Sequence, residues 1–186
     1  MTIEEPRDPS PFDDPDLQRL DAALAAEFRA EAQEYERLAA LDHLRHRRLP
    51  DVVLELLHRG DVVAVELARQ SFVGTVVYAV ADLLCLRTKT EDVDVWLEAP
   101  LTLHVLERAR SGGLSRGVGP SSFRARLAEH EAAGTQVTIG RREQPAPLRG
   151  RIHAVALDHL VVEPGRRPPC YVPLRVVDYV AVVRAL

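Results

Sequence analysis

The residues of this chain whose type and spacing could do chemistry are arginines. Arg141, Arg142, Arg149, Arg151, Arg166, Arg167 and Arg175 gather toward the C-terminus, on or beside turns between strand-like segments. A guanidinium is a planar fork of five donors, which grips phosphate bidentately and stacks on bases. Arginines at hairpin tips therefore point to a polyanion, with RNA or another nucleic acid foremost. The same side chains also have a plainer use. Lys89 is the single lysine among 24 basic residues, so arginine is this chain's general surface cation and hairpin tips are solvated in any case. Aromatic residues that interleave with the cations of single-strand binders are scarce here, Tyr171 and His159 being the stacking candidates.

Other reactive side chains do not converge. His43 and His46 share a helical face and His58 follows, but no cysteine or acid stands at metal-ligand spacing beside them. Asp158 and His159 are sequence neighbours expected on a strand, where adjacent side chains point to opposite faces. Gly112-Gly113-Leu114-Ser115-Arg116-Gly117-Val118-Gly119 is glycine-rich without the lysine and hydroxyl pair of a phosphate loop, and reads as a linker. Cys85 and Cys170 fall in different strand segments and read as buried thiols. No catalytic residue, metal or cofactor is expected, and the chain is read as non-enzymatic.

The elements that must position the arginines come from a tandem repeat. Gly74-Thr-Val-Val-Tyr-Ala-Val-Ala-Asp82 is matched by Gly150-Arg-Ile-His-Ala-Val-Ala-Leu-Asp158, and the match runs on without a gap to Val95/Tyr171 and Trp96/Val172. Upstream, Gly60-Asp-Val-Val-Ala-Val65 corresponds to Gly134-Thr-Gln-Val-Thr-Ile139. Alternation and turn residues predict strands at 61–67, 71–80, 82–88, 93–98 and 102–107. The second copy repeats them at 135–141, 147–157, 159–163, 169–173 and 178–184. Asp82 and Asp158 are expected to form turns, and Trp96 to sit in a core.

Ahead of the repeats, residues 1–13 form an acidic, proline-rich tail expected to be disordered. Asp14-Pro15-Asp16 starts a long amphipathic helix over 14–49, about 50 Å at 1.5 Å per residue. Its apolar stripe includes Leu17, Leu20, Leu24 and Phe28 and marks a candidate partner-binding face. The predicted domains are then a first β unit at 50–109, a glycine- and serine-rich flexible linker at 110–120, and a second β unit at 121–186. Each unit opens with a short helix, the second capped by Ser121 or Ser122.

The repeat resembles the Sm-like small β-barrel, a variant of the SH3-like barrel. The resemblance rests on Leu56-Leu57-His-Arg-Gly60-Asp-Val-Val-Ala-Val65, Gly74-Thr-Val76 and Asp82 leading into Leu84 and Leu86. The second copy carries Leu127 to Gly134-Thr-Gln-Val137, Gly150-Arg-Ile152 and Asp158 into Leu160 and Val162. The asparagine that the family usually places in the loop after the bent strand is absent. The resemblance implies an α+β, mainly β fold: an N-terminal helix, then two five-stranded barrels, each behind a short helix. Such barrels join subunits by pairing edge strands, and a tandem chain can satisfy one such contact internally.

Charge places the function. The net charge of −4 divides unevenly: residues 1–60 carry 8 basic and 14 acidic side chains, while residues 111–186 carry 11 and 6. A polyanion is thus expected on the second β unit. The leading expectation is an RNA-binding protein of RNA metabolism or gene regulation. The alternative is a protein-interaction adaptor, using the N-terminal helix and the barrel edges for a partner or for self-association. The acidic N-terminus lacks the basic start and apolar core of a signal peptide, so a cytoplasmic location is expected, with no membrane partner.

Overall fold

The computed structural model describes residues 15–109, 112–115 and 117–184; the acidic tail at 1–13 lies outside them. The chain divides into two compact units between Arg47 and Arg48. The first is a helix, α1 (Pro15–His46). Asp16 in its first turn and His43, Arg45 and His46 in its last match the helix dipole. Leu17, Leu20, Leu24 and Phe28 are all solvent-exposed along it. The helix expected to run to residue 49 stops at His46, and Pro50 lies in the first turn of α2 (Leu49–Arg59), the short helix expected to open the first β unit. Proline suits that place because the first turn's amides have no helical acceptor. Asp51 reaches back to accept from the Arg48 amide at 3.0 Å.

The second unit begins with α2, which buries Val53, Leu56 and Leu57 and ends at Gly60, whose φ of 79° makes a left-handed cap. Next come β1 (Val62–Leu67), β2 (Gln70–Val80), β3 (Leu83–Arg87), β4 (Glu91–Trp96) and β5 (Leu101–Glu107). After the linker, Ser122 caps α3 (Phe123–Ala132) by accepting from the Ala125 amide. The chain continues through β6 (Gln136–Arg141), β7 (Leu148–Val155), β8 (His159–Glu163), β9 (Cys170–Pro173), a 3₁₀ turn (Leu174–Val176) and β10 (Val177–Val183). None of the described helices is long and apolar enough to cross a membrane.

The strands stand where the alternation puts them, but their assembly differs from the expectation. All ten form one open antiparallel sheet in the order β5-β1-β2-β3-β4-β10-β6-β7-β8-β9. The two separate five-stranded barrels of the Sm-like or SH3-like reading are not present. Strand β4 pairs with β10 along its length, Val95 opposite Tyr179 and Val93 opposite Ala181, and the Arg184 amide extends this ladder to the Thr90 carbonyl at 3.0 Å. The halves therefore share a backbone ladder.

They also share their cores. Leu84 and Leu86 of β3 join the core under α2, where Tyr179 and Ala181 arrive from β10. Leu83 and Cys85 of the same strand turn to the other face and join the core under α3. A strand buried on both faces reads as an unbroken apolar run, as Leu83-Leu84-Cys85-Leu86 does. Each core is thus completed by the other repeat, and neither half has a closed interior of its own.

Both halves keep the same internal strand order, fifth-first-second-third-fourth, as a duplication requires. The register corrects one detail of the alignment. Leu84 faces Val95 and Leu160 faces Val172, so Val172 is the counterpart of Val95, and the loop after β8 holds one extra residue. The linker is tied down over its described part. Leu114 donates to the Leu57 carbonyl at 3.0 Å, and Tyr78 Oη donates to the Pro120 carbonyl at 2.9 Å. Ahead of it, buried Asp61 accepts from Arg59 Nε and from the Ala109 amide, both at 2.9 Å.

Strands β2 and β7 each shift register in mid-course, between Val76 and Tyr78 and between Ile152 and Ala154. Ahead of each bulge sits a glycine pressed on its neighbour's backbone. A Cβ on Gly74 would lie 2.4 Å from the Arg87 carbonyl oxygen, and one on Gly150 would lie 2.6 Å from that of Glu163. Because backbone cannot step aside as a side chain tip can, Gly74→Ala and Gly150→Ala should each cost roughly 1–3 kcal/mol in urea unfolding. An unchanged midpoint would show that the strands can part there.

Candidate functional site

Strand β7 turns Gly150 and Ile152 inward and Arg149, Arg151 and His153 outward, by the two-residue period of a strand. The hairpin from β6 to β7 and the loop from β8 to β9 lie at the same end of these antiparallel strands. Arg141, Arg149 and Arg167 consequently line one depression of about 400 Å³, floored by Ala146, Pro147, Leu148 and Pro164. Among the described residues, none that lines it is acidic. Arg141 Nη2 donates to the Ala146 carbonyl at 3.1 Å, bracing the hairpin, while its buried Nε finds no acceptor. Arg149, Arg166 and Arg167 are exposed. Arg151 is exposed too, but it faces Glu163 across the strand pair, and Glu163 already lies 3.2 Å from His153.

Two of the seven arginines belong elsewhere. Arg142 Nε donates to Asp178 Oδ1 at 3.2 Å, and Asp178 is buried. Burial pushes that carboxyl up, and Arg142 holds it back toward its charged form. Arg142 therefore serves a buried acid and is not free for phosphate. Arg175 sits on the 3₁₀ turn, at the opposite end of β9 from Arg167 and within the field of Asp158.

The stacking candidates do meet. The His159 and Tyr171 rings are 5.6 Å apart between centroids, and Tyr171 is well exposed. His159 Nδ1 also lies 2.7 Å from Asp158 Oδ1, contrary to the expectation that neighbouring side chains diverge. Asp158 lies in the turn before β8 rather than in the strand, so the alternation does not reach it. This hydrogen bond holds the exposed Asp158 carboxyl below the usual carboxylate range. Asp82 does more than shape its turn: its Oδ1 accepts from the Phe123 amide at 2.8 Å. A side chain of the first repeat thus caps the helix of the second.

One buried cluster had no clear sequence signal. Asp94 Oδ2 accepts from Arg126 Nε at 3.0 Å and lies 2.7 Å from His130 Nε2. In Val93-Asp94-Val95 the aspartate reads as the solvated residue of an alternating strand, yet α3 covers it almost completely. The spacing of Arg126, Glu129 and His130 on one helical face was the signal available. Opposite Asp94 across the strand pair stands Cys85, beside a cavity of about 250 Å³ that both residues line with Tyr78, Arg87, Asp92 and Glu129. Burial pushes the Cys85 thiol far up, and the Asp94 carboxylate pushes it further. A thiol held up in this way stays protonated at neutral pH. His130 and Arg126 hold the Asp94 carboxyl below its usual value against the opposing effect of burial. The cluster anchors α3 to the sheet.

Among the described residues, no group of histidine, cysteine, aspartate and glutamate side chains could hold a metal ion. No protein-family model matches the chain, and no curated protein matches it by sequence.

The Asp94 cluster makes stability depend on acid. A carboxyl whose folded pKa is lowered stabilises the fold above its unfolded value, near 3.8, and loses that contribution as pH falls through the folded value. Urea unfolding followed downward from pH 5 should show the loss, and Asp94→Asn should flatten it. At pH 7, His130→Ala should cost roughly 1–3 kcal/mol by leaving a buried oxygen short of a donor. A variant as stable as the parent would mean that water replaces the imidazole.

Proposed function

We propose that this chain is a non-catalytic RNA-binding protein of the cytoplasm, acting in RNA metabolism or gene regulation. It holds the phosphate backbone in the depression lined by Arg141, Arg149 and Arg167. The observation that carries this reading is one concave surface lined by three arginines, Arg149 and Arg167 of them exposed, with no acidic residue among the described residues of its lining. Phosphate recognition needs that arrangement, because a carboxylate among the cations would compete for them. Arg166 in the adjoining loop extends the basic surface, whereas Arg151 on the outward face of β7 stands opposite Glu163. Binding gains from release of the counterions condensed on the polyanion, so it weakens steeply as salt rises. Arg142 and Arg175 are outside this surface.

A second reading rests on α1. Leu17, Leu20, Leu24 and Phe28 are between 43% and 67% exposed, and an apolar stripe of that kind suits a partner protein that lays a groove along it. In that role the chain is an adaptor.

Fluorescence anisotropy of a short labelled RNA at two salt concentrations tests the first reading. Arg149→Glu/Arg167→Glu reverses two exposed charges and leaves the Arg142–Asp178 pair intact. It should weaken binding at least tenfold and lower the salt slope by about 2. Absence of binding by the parent chain at low salt would sink the reading and favour the adaptor.

A further inference from the structure

A sheet that does not close ends in two edge strands, and the two ends of this one are built differently. At one end stands β9. The Leu174 amide donates to the Asp158 carbonyl at 2.8 Å, which sets the phase of the β8–β9 ladder. Cys170 and Val172 therefore turn their backbone groups to β8, and residues 169, 171 and 173 turn theirs to solvent. Two of those three are Pro169 and Pro173, which have no N–H to offer. Their counterparts in the first repeat, Asp92 and Trp96, lie on the side of β4 that pairs with β10. The second repeat thus places prolines where the first makes its inter-repeat ladder, and this edge is closed to a further strand.

The other end is β5, Leu101-Thr-Leu-His-Val-Leu-Glu107, which has neither proline nor lysine. Its register on β1 matches that of β10 on β6, with Leu103 opposite Val65 and Val180 opposite Ile139. Leu103 and Val105 are therefore the counterparts of Val180 and Val182. Those two residues direct their backbone groups to β4, since the ladder reaches Thr90 through the Arg184 amide. By the same phase, the amides and carbonyls of Leu103 and Val105 point outward with no strand to receive them. Leu103 packs against the core under α2, whereas Val105, on the same face, is 41% exposed and Leu106 is 53% exposed.

We infer that β5 pairs with β5 of a second copy of this chain. Antiparallel pairing about a two-fold axis at His104 sets Leu103 of one copy opposite Val105 of the other, twice over. That register matches outward-facing backbone to outward-facing backbone. It also continues the apolar face of the core under α2 across the axis and covers Val105. Because an isologous contact uses the same edge of both copies, and the far edge of each is closed by proline, assembly stops at two chains. The contact repeats in kind the ladder that β4 and β10 already make within the chain.

Sedimentation velocity and light scattering of the full chain test this inference. The parent should show twice the 20.7 kDa chain mass. Val105→Pro removes only an outward N–H and should halve the mass with an unchanged circular dichroism spectrum. Val105→Lys, which puts a charge at the same edge, should halve it too and serves if the proline variant does not fold. Leu17→Ala/Leu24→Ala/Phe28→Ala should remain a dimer. A parent chain of single mass, whether β5 is then idle or reserved for another protein's strand, overturns the inference. So does a dimer that survives Val105→Lys or dissociates only when α1 is altered.

Discussion

The antiparallel ladder between β4 and β10 is the contact on which the rest of the second unit depends. A five-stranded repeat with this connectivity leaves its fourth and fifth strands as edges, with rows of unpaired amides and carbonyls. Joining the fourth strand of one repeat to the fifth of the other satisfies two of those four edges at once. It also puts β3, β4 and β10 in the middle of one sheet, where both faces can be covered. Helix α2 covers one face beside β3 and α3 covers the other. The two cores are completed by residues exchanged across this ladder.

The second unit also buries charge, and arginine is used to neutralise it. Asp61, Asp94 and Asp178 are all buried, and each is paired with an arginine, Arg59, Arg126 and Arg142 respectively. A buried carboxylate is tolerable only with such a partner and further hydrogen bonds. Two groups of arginines are thereby distinguished. Arg59, Arg126 and Arg142 are tied to buried acids and hold helix to sheet or strand to hairpin. Arg149, Arg166 and Arg167 stand on the surface of the second repeat, and the phosphate-binding proposal rests on that group together with Arg141.

The two repeats also differ in proline content. The loop before β9 and the strand itself carry Pro168, Pro169 and Pro173, whereas Glu91, Asp92 and Trp96 hold the matching places in β4. The two strands are equivalent by position, and the second lacks amides that the first uses to pair. That loop also carries Arg166 and Arg167, at the same end of the sheet as Arg141 and Arg149.

Much of this was legible in the chain itself. Period-two alternation, the glycine at each bend and the repeat spacing determined ten strands, two leading helices and their duplication, because these depend on local backbone preference and on which residues avoid water. The exposed arginines at the hairpin tips were legible for the same reason. Strand alternation could not say that Asp94 is buried, since whether a strand's polar face meets water depends on what covers it, and here that is a helix of the other repeat. Nor could arginine count reveal that Arg142 belongs to Asp178 and Arg149 to the open depression. Above all, each repeat's edges carry the same hydrogen-bonding groups whether they close on themselves, meet each other or stay free. The choice of one continuous sheet over two barrels is made by long-range pairing and shared cores, and only the tertiary structure decided it.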